Sequence, residues 1–111
     1  MASPGIDEGT LFDGSVSTHP DVLIQELPDS ESVLFDLRSE SYFGLDAVGT
    51  RTYRALEETR SVRAAFDRLS TEYNVEPPRL RRDLHAFVNR LHERGLLTFH
   101  PVPERVRPAR P

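Results

Sequence analysis

Between Tyr42 and Gly49 the chain passes from strand to helix within a single residue. Tyr42-Phe43-Gly44-Leu45 reads as an aromatic strand end, and Asp46 follows as a helix N-cap candidate before Ala47-Val48-Gly49. The segments on either side extend the same order, with strands before this junction and helices after it.

Val22 to Leu27 is mostly apolar and ends at Pro28-Asp29-Ser30, a turn in which Pro presets φ and Asp can bond the backbone ahead. Val33-Leu34-Phe35-Asp36-Leu37 alternates with period two, which places Val33, Phe35 and Leu37 on one face. Arg38-Ser39-Glu40 turns the chain back into Ser41 to Leu45. The result is a three-stranded meander whose last strand lies at an edge, with unpaired N–H and C=O groups along one side.

Three helices are predicted beyond it. In the first, Asp46 caps a stripe of Val48, Thr52, Ala55 and Leu56. In the second, Ser61 caps Val62, Ala65, Phe66, Leu69 and Tyr73 at helical spacing. Pro77-Pro78 opens the third, and Leu80, Leu84, Phe87, Val88 and Leu91 line its apolar face. Gly95 suits the left-handed position that ends a helix, with Leu96 and Leu97 packing back on the last turn. The expected fold is α+β and winged helix-turn-helix-like, a three-stranded antiparallel sheet followed by three helices.

Residues 20–99 form the expected domain. Residues 1–19, rich in Gly, Ser and Thr with Leu11 and Phe12 as the one strong apolar pair, read as a flexible arm. Residues 100–111 read as an extended Pro/Arg-rich tail, because prolines this dense prevent both helix and ladder.

Composition narrows the function. At 111 residues there is room for one modest core, and 37% hydrophobic with 29% charged residues is a globular balance. No run approaches the roughly 20 apolar residues of a membrane span, and no signal peptide pattern is present, so a cytoplasmic location is expected. With no cysteine, thiolate sites and disulfides are excluded. All 14 basic residues are arginine, which points to genomic base composition more than to bidentate binding. A net charge of -4 argues against nucleic acid.

No catalytic constellation is visible. His85 and His92 lie two helical turns, roughly 10 Å, apart. That is too far for one zinc, whose ligands sit near 2.1 Å. No Gly-rich phosphate loop and no Ser/His/Asp spacing occur. No cofactor, metal or catalytic residue is expected, and binding remains. An exposed edge such as Ser41 to Leu45 is suited to β-augmentation, in which backbone hydrogen bonds give sequence-tolerant affinity and side-chain pockets give selectivity. Gly44 has no side chain to obstruct a close backbone, and it also permits the bend from strand to helix.

Several motifs in this order resemble the PqqD family of leader-peptide recognition domains. They are the strand Tyr42-Phe43-Gly44-Leu45, the helix opening Leu45-Asp46-Ala47-Val48-Gly49-Thr50, Asp83-Leu84 with Phe87, and the closing Arg94-Gly95-Leu96-Leu97. The resemblance spans roughly Leu23 to Leu97. The form is most similar to the separate recognition protein of lasso-peptide pathways. It implies a non-catalytic protein that takes the leader of a precursor peptide as a further strand, beside the third strand and against the third helix. The implied partners are that precursor, a separate leader protease and an asparagine-synthetase-like cyclase.

The binding residues so implied are Ser41, Tyr42, Phe43, Gly44, Asp83, Leu84, Phe87 and Arg90. At about 100° per residue, Arg81, His85 and His92 fall on one margin of the third-helix stripe, and Asp83, Arg90 and Arg94 on the other. The aspartate that recurs in the family corresponds to Asp83, which favours the second margin. Asp83 also suits a first turn through the helix dipole, and Phe87 also suits the core. The alternative is a winged-helix DNA-binding regulator, with Arg79, Arg81, Arg82, Arg90 and Arg94 making the third helix basic. A structural subunit that never touches peptide is a third reading.

Overall fold

Local caps define where each helix begins in this computed structural model, which describes residues 5–102. The elements are α1 (Glu8–Asp13), β1 (Ser15–Thr18), β2 (Val22–Glu26), β3 (Ser32–Asp36), β4 (Ser41–Leu45), α2 (Ala47–Thr59), α3 (Val62–Glu72), α4 (Pro77–Glu93) and β5 (Leu97–His100), with a 3-10 turn at Pro28–Ser30. Asp46 accepts from the Gly49 N–H at 2.7 Å and starts α2, and Ser61 accepts from Ala64 at 3.1 Å and starts α3. Pro77 stands in the first turn of α4, where its missing N–H costs nothing. Gly95 ends α4 at φ 73°, with Leu96 N–H reaching back to the Leu91 carbonyl at 2.9 Å in a Schellman closure.

The α+β class holds, as does the order of three antiparallel strands followed by three helices. β2, β3 and β4 form one sheet in that order, with Leu23, Phe35 and Tyr42 in one row and Ile24, Leu34 and Phe43 in the next. A second sheet was not foreseen. β1 pairs antiparallel with β5, Ser15 opposite His100 and Thr18 opposite Leu97.

That second sheet corrects both ends of the expected domain. Residues 1–19 were expected to be an arm, yet Leu11 and Phe12 are wholly buried and Val16 sits on the core from β1. Phe12 packs edge-on against Phe66 at 5.5 Å, and the Arg81 guanidinium lies 4.2 Å from its ring centroid. A six-residue helix is too short to show a periodicity, and its order comes from tertiary contact. Gly14 is required where α1 meets β1, since a Cβ there would lie 2.5 Å from the Phe99 ring. At the other end His100 belongs to β5 rather than to the tail, and residues 103–111 lie outside the described ones.

The alternating face of β3 also points the other way from a simple hydrophobic reading. Val33, Phe35 and Leu37 do share a face, but the buried residues are Ser32, Leu34 and Asp36. Burial of the polar pair is tolerated because each is satisfied. Ser32 Oγ meets Thr50 Oγ1 at 2.7 Å, and Asp36 is held by Arg38. In α2, Thr52, Ala55 and Leu56 enter the core as expected, whereas Val48 is 56% exposed.

Phe12→Ala is expected to lower stability by about 3–5 kcal/mol, the usual cost of truncating a core phenylalanine. Thermal melting followed by circular dichroism checks this. A variant that melts like the parent would restore the reading of residues 1–19 as an arm.

Candidate functional site

β4 is the outer strand of its sheet, and α4 runs across from it. Between them opens a cleft of about 570 Å³. Phe43, Gly44 and Leu45 form one wall and Leu80, Asp83, Leu84, Phe87 and Arg90 the other. Leu69, Tyr73 and Val75 close the floor, and the first turn of α2 contributes Asp46, Val48 and Gly49. The interior is thus mainly apolar, with Asp46, Asp83 and Arg90 as its charged groups.

The backbone of β4 decides which groups face outward. Leu27 N–H bonds to the Glu31 carbonyl and Leu37 N–H to the Asp21 carbonyl, so the odd-numbered residues of β3 are those that exchange hydrogen bonds with β2. In an antiparallel ladder the bonded partners alternate, so the even residues of β3 bond to Ser41, Phe43 and Leu45. Tyr42 and Gly44 therefore direct their N–H and C=O groups to the open edge. A Cβ built on Gly44 would meet nothing within 4 Å. The chain's own packing does not require glycine there.

Six of the eight candidate residues, Phe43, Gly44, Asp83, Leu84, Phe87 and Arg90, come together around this cleft. Ser41 and Tyr42 do not line it. Ser41 Oγ bonds to Ser39 Oγ at 2.6 Å, and the Tyr42 ring projects from the other face of the sheet, 73% exposed. Tyr42 reaches the edge through its backbone alone. The opposite margin of α4 is turned from the cleft and occupied by the N-terminal segment. Arg81 pairs with Glu8 at 3.1 Å, His85 Nε2 meets the Ile6 carbonyl at 2.5 Å, and Asn89 Oδ1 accepts from Ile6 N–H at 2.8 Å. Val48, Val75 and Leu80 were missed as cleft residues. Tyr73 was read as part of the α3 stripe, but it is the residue that leaves that helix in extended conformation.

Two arginines hold the cleft's far end. Arg38 donates to both oxygens of Asp36, at 2.9 and 3.0 Å, and to the Gly95 carbonyl at 2.7 Å. These bonds tie the β3–β4 turn to the end of α4. The Arg38 guanidinium, with its backbone N–H, holds the Asp36 carboxyl well below the carboxylate range, at about 2, although burial opposes the shift. Arg94 lies 5.0 Å from the Phe43 centroid.

The pattern of the family described as Coenzyme PQQ synthesis protein D (PqqD) matches residues 31–97, more than half of the chain. The chain belongs to the PqqD family. Among solved structures, "TbiB1 in Complex with the TbiA(beta) Leader Peptide" is 36% identical to this PqqD-family chain, with a TM-score of 0.68 over 74% of this chain and 94% of that one. "Lasso peptide synthetase B1 complexed with the leader peptide" is 26% identical, with a TM-score of 0.66 over 80% of this chain and 99% of that one. The heterocyclase TruD matches at a TM-score of 0.57 and 15% identity, over 82% of this chain and 12% of its own, a likeness of fold alone. No curated protein matches significantly.

The winged-helix DNA alternative finds no support in this PqqD-family chain. The arginines of α4 are dispersed, with Arg79 beside Asp83 at 3.8 Å, Arg81 on Glu8 and Phe12, and Arg94 over Phe43. Among the described residues no three His, Asp or Glu side chains gather as a metal site, and no helix is long and apolar enough to cross a membrane.

Because the Asp36 carboxyl is depressed in the folded state, its contribution to stability is present above its ordinary value of 3.8 and is lost as pH falls toward about 2. Asp36→Asn is expected to lower the melting temperature at pH 7 and to flatten its decline between pH 4 and pH 2. Parallel slopes for parent and variant across that window would remove the ion pair from the acid response.

Proposed function

We propose that this chain is a non-catalytic, cytoplasmic precursor-binding protein of lasso-peptide biosynthesis. It captures the leader peptide by strand addition at β4 and presents the precursor to a separate leader protease and an asparagine-synthetase-like cyclase. The observation that carries this reading is an open strand edge, with the Tyr42 and Gly44 backbone groups turned outward, directly beside an apolar cleft walled by α4. The likeness to B1 proteins described as complexed with leader peptides supports it.

Magnitudes indicate why both parts are needed. Two outward residues offer at most four backbone hydrogen bonds, each adding about 0.5–1.5 kcal/mol net. Association costs about 4–15 kcal/mol in lost freedom. The edge alone therefore binds nothing tightly. Burying one or two leucine-sized leader side chains among Leu69, Leu80, Leu84 and Phe87 adds about 1.5–3 kcal/mol each. Affinity and selectivity both come from the cleft, and the edge sets direction and register.

Gly44→Pro removes an outward donor and fixes φ, and is expected to abolish leader binding in a fluorescence titration. Gly44→Ala, with open space at its Cβ, is expected to keep the fold. Leader binding by a folded Gly44→Pro chain that equals the parent would place the site elsewhere.

The two margins of α4 provide a second comparison. Phe87→Ala is expected to weaken leader binding beyond its loss of stability, and Arg90→Glu to weaken it about tenfold, equivalent to about 1.4 kcal/mol. Arg81→Glu faces Glu8 on the far margin and should alter melting while leaving leader affinity within twofold. The opposite result for Arg81 and Arg90 would move the site to the other side of the helix.

A further inference from the structure

The margin of α4 that faces away from the cleft carries Arg81, His85 and Asn89, and the last two grip main chain rather than side chain. Asn89 Oδ1 accepts from the Ile6 N–H at 2.8 Å, while Asn89 Nδ2 at 3.2 Å and His85 Nε2 at 2.5 Å both donate to the Ile6 carbonyl. Both backbone groups of Ile6 are thereby engaged by a helix residue 83 positions away. Gly5 lets the segment come this close, because a Cβ there would lie 3.0 Å from Asn89 Oδ1.

Asn89 stands next to Arg90 and two residues beyond Phe87, so it shares one helical body with the cleft wall. At 100° per residue it lies about 160° around the helix from Phe87 and about 100° from Arg90. The core side of α4 is held by Leu80, Leu84, Val88 and Leu91, whose apolar contacts are strong but non-directional. Such contacts tolerate a small roll of the helix about its own axis. With side-chain atoms roughly 5–6 Å from that axis, a roll of about 10° carries Phe87 and Arg90 through about 1 Å. Displacement of that size is enough to spoil a binding site. Hydrogen bonds are directional and resist it.

We infer that Asn89 is a positioning residue for leader recognition. By holding the backbone of Ile6 it fixes the roll of α4, and so sets where Phe87 and Arg90 meet the leader. This inference rests on the leader-binding reading. The docked N-terminal segment thus takes part in recognition from the far side of the helix, without touching the peptide. Coupling is reciprocal, so a leader that prefers the braced orientation strengthens the docking of Ile6 by the same factor. Arg81 is not part of this couple. It meets the side chains of Glu8 and Phe12, and Phe12 is core in its own right, so Arg81→Glu leaves the Ile6 bonds in place.

The test uses the full chain and the leader peptide in isothermal titration calorimetry, which reads Kd and stoichiometry separately. Gly5→Val leaves α4 untouched and drives a side chain into the Asn89 amide. Asn89→Ala and Gly5→Val should each weaken leader binding about fivefold or more at unchanged stoichiometry. Asn89→Asp, which keeps an acceptor for the Ile6 N–H but sets a carboxylate against the Ile6 carbonyl, should behave like Asn89→Ala. A merely structural loss would lower the folded fraction, and with it the stoichiometry, while the folded chains kept the parent Kd. Val16→Ala is the control, since it truncates the core at β1, which packs on β5 and α2. It should melt lower than the parent yet bind leader within twofold. In the parent, saturating leader should slow hydrogen exchange of the Ile6 amide by the factor that Gly5→Val loses in affinity. Kd values within twofold of the parent for both Asn89→Ala and Gly5→Val overturn the inference. So does an equal loss of affinity in Val16→Ala, or Ile6 exchange that leader leaves unchanged. A parent chain that binds no leader removes the leader-binding reading and this inference with it, whereas failure of the variants alone removes only the role of Asn89.

Discussion

The spacing between β4 and α4 depends on one arginine. Arg38 sits in the β3–β4 turn, yet its guanidinium joins the Asp36 carboxylate at the end of β3 to the Gly95 carbonyl at the end of α4. Asp36 is buried while the Arg38 side chain stays 39% exposed, and the bidentate fork fixes direction as well as distance. The Gly95 carbonyl is available because the Schellman closure turns the chain sharply out of the helix. A cleft wall built on a helix is only as well placed as the helix end, and here that end is bonded to the opposite wall. Arg94 adds a second tie over the Phe43 ring.

The back of α4 is fixed by a different segment. Asn89 exchanges hydrogen bonds with both backbone groups of Ile6, His85 meets the same carbonyl, and Arg81 lies between Glu8 and the Phe12 ring. These contacts leave α4 with one free margin, that of Asp83 and Arg90. The family pattern begins at residue 31, so α1, β1 and β2 lie ahead of it. In this chain those preceding residues brace the helix that the pattern includes.

The meander, the three helices, the Asp46 and Ser61 caps and the Gly95 closure were legible because each rests on local chemistry. Asp46, Ser61 and Gly95 act within a few residues of themselves, and the α4 stripe runs long enough for its period to show. α1, β1 and β5 were not legible for the same reason. Each spans only four to six residues, and each is held by partners more than forty positions away, such as Ser15 with Ser61 and His100. The inward turn of Ser32 and Asp36 is a tertiary override. Pattern alone favours Val33 and Phe35 for the core, and the distant Thr50 hydroxyl, with the Arg38 guanidinium and backbone N–H, makes the polar pair acceptable inside. The six residues that meet in the cleft were reached through family resemblance and helical angle. Ser41 and Tyr42 stand apart from those six because alternate residues of a strand face opposite ways, and Tyr42 meets the edge through its backbone.

The two edges of the main sheet are treated differently, and the difference favours β4 as the working edge. On β2 the outward residues are Val22, Ile24 and Glu26. The Val22 N–H is bonded to the His19 carbonyl at 3.0 Å, and the Glu26 carbonyl accepts from the Gln25 side chain at 3.1 Å. Local bonds thus occupy one outward group at each end of that edge. On β4 no described residue caps the outward groups of Tyr42 and Gly44 in this way. An unprotected edge invites indiscriminate pairing, and strands are usually defended by length, charge or cover. Here β4 is five residues long, and α4 stands across the cleft with Asp83 and Arg90 on its rim. A strand can reach the edge only by also satisfying that wall, so the helix admits matching side chains and turns others away.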